Sequence, residues 1–590
     1  MSTSAVALDP TSAALSARTW ARFAPVAAAA LIAVVYTLDG YSYGRSNQME
    51  QLAALLAYLE DGFLKRDYFI QFFVEGGPRY YYIRLLALGS HLLPLPALFF
   101  VLTWLANTAT LLITFRTVRY AFGNLIAAYA SLLLVAALYF YVRLGDAGFL
   151  LTNNLSPASL AIPGMFGAIS AALRGSPTAM LWAAGTAVIH PLYGLAAAGS
   201  VLFLEVAQLL RQEARATPIR RELSQCALKA LGFAALFALL WYRPTSAPRL
   251  DDATYFHIYA RTRGPHHVLP STFPSKDWIL FADFTLCSLS SIYLVRSHLR
   301  RLAPLLWLAA LVMLGFVVGY VFVELVPLRP VMVAQAYRFT SITSWVGVVV
   351  GAGAFGSVFE AGQSARAQRW RAAAVALVFT LLVLGERIVS PRARGVTLVM
   401  ALLLGLGFWA VHVARRPRTA AWVMLAGLAA FAGSRFGIFA QRERWHGNRL
   451  PAFTLDDFET RYDDVAAYAR EHTDRDAVFA ITDVAKFWDS GTFRYKAGRA
   501  LFVDHKVFPY GDPEIAEWYK RTSALKALDP QQNNDSRLAA LAREYELDYA
   551  VLPKGSPTEL PVAFVGEHYQ LVALRPTTLG VTTSGRSPAQ

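Results

Sequence analysis

The feature that most limits what this chain can become is a series of apolar runs, each close to the length of a bilayer crossing. A helix needs about 20 apolar residues to cross ~30 Å of hydrocarbon. Runs of that kind occupy 23–38, 94–115, 122–142, 157–173, 177–189, 191–210, 225–242, 277–295, 303–323, 336–357, 371–389, 395–414 and 420–440. Composition closes off the alternatives. The 590 residues are 55% hydrophobic and 16% charged, whereas soluble domains carry roughly a quarter charged residues. Disorder is excluded by the same figures. Two cysteines, Cys226 and Cys287, both lie inside apolar runs, which excludes a disulfide scaffold. The expected fold class is a polytopic α-helical membrane protein of about 13 spans.

Charge sets the expected orientation. The formal net charge is +15, and 22 of the 40 acids follow Gln441, so the basic excess lies among the apolar runs. No basic segment interleaved with aromatics accompanies it, and nucleic acid is not an expected partner. The arginines instead cluster in alternate loops: Arg116/Arg119, Arg174, Arg211/Arg215/Arg220/Arg221, Arg296/Arg300/Arg301, Arg366/Arg369 and Arg415/Arg416/Arg418. With the N-terminus inside, all of these face the cytoplasm, as the positive-inside bias requires. Arg392 and Arg394 are the exception. The scheme needs 177–210 to be a hairpin, a short helix broken at His190-Pro191 and then a full one, because proline removes a donor and clashes with the preceding turn. Phe23–Leu38 follows Arg18 and Arg22 like a signal peptide, but no small-x-small cleavage site precedes Asp39, so it reads as a retained first helix.

These rules divide the chain into a cytoplasmic tail (1–21), a transmembrane domain (22–441) with a long first outer loop (39–93), an extracytoplasmic α/β domain (442–575) and a disordered tail (576–590). Within the first loop, Met49, Leu52, Leu55, Leu56 and Leu59 recur at helical spacing, which predicts an amphipathic helix in the interface plane with Glu50 on its solvated side. In the C-terminal domain, the apolar runs 477–482, 500–503 and 549–552 predict buried strands, and 459–470, 513–524 and 536–544 predict helices between them. It holds no GxGxxG or GxxxxGK[ST] motif, so no nucleotide site is expected.

Residues able to carry chemistry gather in the outer loops. Asp39 ends the first helix, where a carboxylate suits a general base or a metal ligand. Asp67, between Arg66 and a run of aromatics, is the second acid; its other reading is a solvated ion pair. The densest cluster is Arg261-Thr262-Arg263-Gly264-Pro265-His266-His267. Its two guanidiniums and two imidazoles could bind phosphate, and the imidazoles could equally bind a metal or accept a proton. No HExxH or Cys/His framework accompanies them, so no dedicated zinc site is expected. Arg329 and Arg338 flank the start of the 336–357 run. Arg338 falls near membrane depth, where it either binds a lipid phosphate bidentately or snorkels to the headgroups. His190 points to the same outer face.

This pattern resembles a family. The sequence Leu38-Asp39-Gly40 at the end of the first helix, Lys65-Arg66-Asp67-Tyr68-Phe69 in a long outer loop, many spans and an outer C-terminal domain look like the GT-C superfamily of integral-membrane glycosyltransferases. The segments Arg263-Gly264-Pro265-His266-His267, Phe493-Arg494-Tyr495, Gly498-Arg499-Ala500, Asp504-His505-Lys506, Pro509-Tyr510 and Glu517-Trp518 are similar to an uncharacterised group of bacterial multi-pass proteins with GT-C-like architecture. The resemblance implies a polyprenyl-phosphate-linked sugar donor, a membrane-lipid setting in the bacterial inner membrane and a glycan or lipid acceptor. It implies that Asp39 acts as base or metal ligand, with Asp67 as second acid and a divalent cation as an optional cofactor. The first outer loop lacks the superfamily's Asp-x-Asp or Glu-x-Asp pair, and the chain has no Trp-Trp-Asp motif. Two rival readings share the composition: a lipid-linked saccharide transporter or flippase, which would place charges near mid-span, and a non-catalytic polysaccharide-assembly protein.

Overall fold

The computed structural model describes residues 10–38, 40–138, 141–211, 219–242, 248–360, 363–389, 453–455, 459–483 and 489–575. Asp39, the expected spans 395–414 and 420–440 and the tail 576–590 lie outside the described residues. Contacts divide the chain into two units. The first comprises Met1–Tyr43, Arg84–Ser246 and Leu250–Asp457; the second comprises Gly44–Ile83, Ala247–Arg249 and Phe458–Gln590.

The first unit is helical. Among the described residues, six helices are long and apolar enough to cross a membrane: Leu95–Phe122, Pro191–Arg211, Ile219–Trp241, Ser275–Leu294, Arg296–Leu325 and Arg329–Ser357. Shorter apolar helices cover Phe23–Leu38, Leu125–Ala137, Pro157–Leu173 and Ala179–Ile189. The ends of these helices follow from local chemistry. Gly123 takes a left-handed conformation (φ 66°) after Phe122, and Asn124 caps the next helix by accepting from the amides of Ile126 and Ala127, a turn-and-cap pairing that reverses the chain. Ser156 and Ser159 form a reciprocal capping box ahead of Pro157. His190 interrupts the helix in an extended conformation before Pro191, as the proline demands. The two helices then fold back so closely that a Cβ on Gly194 would stand 2.3 Å from the Ala187 Cα.

Inside this unit, several polar groups are satisfied by neighbouring helices. Trp345 stacks on Phe166 at 4.8 Å and donates from Nε1 to Thr114 Oγ1 at 2.9 Å. Two charged groups among these helices have partners: Lys229 Nζ meets Glu205 at 2.6 Å, and Asp283 accepts from the Tyr141 hydroxyl at 2.5 Å. Outward faces are apolar. Leu228, Leu231 and Leu239 on one helix are each more than two-thirds exposed, a surface that suits lipid and not water. The chain is a polytopic α-helical membrane protein with a small C-terminal α/β domain.

The second unit is built on a five-stranded sheet of order β2-β1-β3-β5-β4. β1 (Val478–Ile481) lies between β2 (Ala500–Leu501) and β3 (Tyr549–Pro553), parallel to both. β5 (Tyr569–Ala573) pairs antiparallel with β3 and with β4 (Val562–Val565). Helices Asp463–His472, Ser490–Ala497, Asp512–Lys526 and Asp535–Tyr545 connect or cover the strands. Tyr462, Val465, Phe479, Phe493, Val551 and Leu571 meet in its core.

Residues 44–83 belong to this unit. The helix Gln48–Leu59 forms where the periodicity predicts it, but the solvated position expected for Glu50 is corrected. Glu50 is 4% exposed and pairs with Arg79, because a guanidinium from the loop's far end reaches it. Gln48 and Gln51 are buried with it.

Candidate functional site

In the membrane unit, three segments distant in sequence meet. The first is the turn Leu144–Asp146, which needs left-handed backbone: φ is 67° at Gly145, 50° at Asp146 and 93° at Gly148. A Cβ on Gly145 would stand 2.8 Å from the Tyr337 Cβ and 3.2 Å from the His267 carbonyl oxygen, so only glycine fits there. Asp146 is a non-glycine residue in that strained region, and its side chain is exposed. Backbone strain of this sort persists where the surroundings over-determine it, as at functional sites.

The second segment starts at the helix Asp252–Phe256, capped by Asp251 accepting from the Thr254 amide at 2.9 Å. It widens into a π-helical turn, His257–Arg263, and Pro265 then opens a single turn, Pro265–Val268, that carries His266 and His267. Their rings lie 4.0 Å apart. The His267 Nδ1 lies 2.9 Å from the Gly145 carbonyl oxygen. Burial first, then Arg338 and His266, hold the His267 imidazole well below its usual range, against the Gly145 hydrogen bond. A neutral ring donating from Nδ1 leaves Nε2 as a free lone pair.

The third segment is the turn Ala336–Phe339. Tyr337 is buried, donates to the Phe316 carbonyl at 2.9 Å and stacks on Phe316 at 5.3 Å. Gln335, left-handed at φ 48°, donates to the Tyr259 hydroxyl. Arg338 follows, half-buried, and its Nε is buried with no hydrogen-bond partner among the described residues. Its charge acts on His267 and on buried Tyr193.

The residues singled out by sequence therefore fall into groups. Arg263, His266, His267 and Arg338 come together. His190 sits against Tyr193, ring centroids 4.9 Å apart, and Tyr193 is within electrostatic reach of Arg338. Arg261 lies over the Phe256 ring at 5.2 Å and Arg329 over Tyr255 at 3.8 Å, each stacked on an aromatic face of the adjoining helix. Asp39 lies outside the described residues. The next residue, Gly40, accepts at its carbonyl from Asn153 Nδ2 at 3.1 Å, on the loop that also carries Asp146.

Asp67 is in the second unit and fully buried. It caps the helix Tyr68–Glu75 by accepting from the Ile70 amide at 3.1 Å. Its other oxygen accepts from Arg494 Nε at 2.6 Å and the Leu501 amide at 2.9 Å. Arg494 also reaches Asp504, whose second oxygen accepts from the Val507 amide at 2.8 Å. Burial opposes the Arg494 charge, but Asp504 and Asp67 outweigh it and raise its pKa. The same unit holds a cavity of about 500 Å³ lined by Arg45, Thr460, Arg461, Asp489 and Lys506, among others.

Asp146 is the residue that sequence reasoning passed over. With His266 and His267 it brings one carboxylate oxygen and two ring nitrogens within 4.8 Å of one another. Its only sequence signal is an acid between two glycines, Gly145-Asp146-Ala147-Gly148, in a loop between apolar runs.

Comparison with known proteins adds the following. Residues 461–525 match a family model described as "Domain of unknown function (DUF6798)"; the stretch runs from before β1 into the helix Asp512–Lys526. No curated protein matches the chain. Among solved structures, the crystal structure of ArnT from Cupriavidus metallidurans in the apo state is similar over 95% of this chain and 98% of that one, at 13% identity and a TM-score of 0.44.

Proposed function

We propose that the chain is a membrane glycosyltransferase that moves a sugar from a polyprenyl-phosphate-linked donor to a glycan or lipid acceptor, at the extracytoplasmic face of a bacterial inner membrane. The observation that carries this reading is the half-buried Arg338 beside Arg263, His267 and Asp146 in a helical membrane unit. Arg338 Nε has no partner among the described residues. A guanidinium there favours an anion, and a phosphate takes it bidentately. The sequence resemblance to the GT-C superfamily supplies the class of donor.

In this reading the acceptor hydroxyl oxygen attacks the anomeric carbon, and the bond from that carbon to the phosphate oxygen breaks. The hydroxyl proton passes to the Asp39 carboxylate. Polyprenyl phosphate leaves, and the charge developing on it is met by Arg338 and Arg263, which is where a fixed cation lowers a barrier. Asp67 takes no part in the chemistry, since both its oxygens are occupied inside the second unit. The cavity in that unit carries both signs of charge and several hydroxyls. Arg494 is fully buried and braces the unit, while Lys506 lines the cavity.

The test is incubation of the purified chain with defined polyprenyl-phosphate sugars and detection of released lipid phosphate. Wild type releases it. Asp39→Asn abolishes release, and Arg338→Ala slows it by about 10²–10³-fold, the usual loss for one charge-stabilising donor. Folded protein that releases nothing from any donor, or Arg338→Ala at the wild-type rate, overturns the reading.

A further inference from the structure

We propose that Asp146, His266 and His267 form a site for one divalent transition-metal ion of the zinc class, with its remaining coordination positions open to a ligand. Three facts converge on it. The ligand atoms lie within 4.8 Å of one another. Zinc stands about 2.1 Å from nitrogen or oxygen, so two tetrahedral ligands are about 3.4 Å apart. The widest separation present closes by at most about 1.4 Å, within reach of rotation at an exposed aspartate.

The hydrogen bond from His267 Nδ1 to the Gly145 carbonyl supplies the orientation that metal-binding imidazoles need, since the other ring nitrogen is ordinarily held by a backbone carbonyl or carboxylate. The backbone itself is committed to the arrangement. Gly145 and Asp146 are both left-handed, and Gly145 has no room for a side chain against Tyr337 and the His267 carbonyl. Asp146 is exposed while both histidines are half-buried, so an ion enters from the carboxylate side and keeps that side open, as three-ligand sites do.

The donor set selects among ions. Two imidazoles and one carboxylate suit zinc, cobalt or iron, whereas magnesium prefers oxygen ligands and keeps its water. Arg263 and Arg338, which act electrostatically on His267, oppose a hard ion held by charge alone. Binding of the ion goes beyond the transferase reading; its use to grip a donor phosphate oxygen rests on that reading.

The experiment uses the full chain without a polyhistidine tag, in lipid nanodiscs, stripped with a chelator and dialysed. Titration with Zn²⁺ is followed by calorimetry and by elemental analysis, and Co²⁺ by its visible ligand-field bands. Wild type takes up about one equivalent of Zn²⁺ and none of Mg²⁺, with Co²⁺ bands of a site containing nitrogen. Asp146→Asn weakens Zn²⁺ binding at least 10-fold, as does His266→Gln, while His298→Asn, outside the cluster, binds as wild type. Thermal midpoints confirm that the variants fold. No Zn²⁺ uptake by wild type, or Asp146→Asn and His266→Gln both binding as wild type, overturns the site. Uptake with no release of lipid phosphate leaves the site standing and defeats the transferase reading; full release after chelation removes the ion from the reaction alone.

Discussion

Consider Arg494→Met, made in the full chain. In the native unit the guanidinium joins two carboxylates, those of Asp67 and Asp504, and all three side chains have zero exposure. Methionine fills much of the stem's volume but leaves two buried acids with no cation between them. Removing one member of a buried pair costs about 3–5 kcal/mol, because the remaining charge is left uncompensated, and here two charges are left. Proton uptake by one acid caps the loss, so about 3–5 kcal/mol is the expected range. In a domain of 150–250 residues each kcal/mol moves the thermal midpoint by about 2–4 °C, so the unit should melt roughly 6–20 °C lower. Asp67→Asn is gentler. Its single carbonyl oxygen can serve either the Ile70 amide or the Arg494 and Leu501 donors, not both sets, at about 1–3 kcal/mol for the group left unmet. An all-apolar replacement of the triad should not recover stability, because the amides of Ile70, Leu501 and Val507 depend on those carboxylates. Hydrogen exchange by mass spectrometry over 63–75 and 490–507, with a thermal midpoint in nanodiscs, reads the effect locally. A midpoint for Arg494→Met within about 2 °C of wild type would refute the reasoning.

Two further outcomes follow from particular contacts. Gly145→Ala combines a left-handed backbone penalty of about 1–2 kcal/mol with overpacking against Tyr337 of about 1–3 kcal/mol. It should lower the thermal midpoint of the membrane unit and weaken Zn²⁺ binding together, and an unchanged midpoint would contradict the close approach. Acid should weaken the second unit through Asp463: burial would raise its pKa, but Lys496 and Thr460 outweigh this and lower it. A depressed folded pKa contributes stability that is present above the unfolded value of about 3.9 and is lost as pH falls through the folded one. Lys496→Met should flatten the stability curve below about pH 4 and leave the curve's slope from pH 6 to 8 as in wild type; equal acid slopes in the two proteins would remove the pair as the cause.

The fold was legible where one physical constraint has few solutions. A bilayer-length apolar run can only become a helix, and His190-Pro191 marked its own break. The runs 477–482, 500–503 and 549–552 became β1, β2 and β3 because fully buried strands leave an unbroken apolar signature. β4 was silent, since Val562 and Val565 are exposed, and β5, though buried, carries Gln570 inside its apolar run. The helix Gln48–Leu59 was legible by its period, yet the fate of Glu50 was not, because Arg79 lies beyond any window of periodicity. The site failed in the same way. Gly145 and His267 are 122 residues apart, and nothing local to Asp146 announces the two imidazoles. Asp67 drew notice as an acid among aromatics, while its partner Arg494 stands 427 positions later.

Several cations in the two units have carboxylate partners within the chain, while Arg499, 7% exposed, is held by backbone carbonyls and the Thr473 hydroxyl. In the second unit Arg494 meets two carboxylates and Arg79 meets one, so each charge is cancelled within the chain. In the membrane unit the partly exposed Lys229 is paired with Glu205. Arg338 breaks the pattern: no carboxylate pairs with it among the described residues, its Nε is buried without a partner, and Tyr337 beside it is locked by a hydrogen bond and a stacked ring. A guanidinium held in that state costs free energy unless an anion completes it. In the proposed reading an anionic ligand completes Arg338, as Asp67 and Asp504 complete Arg494.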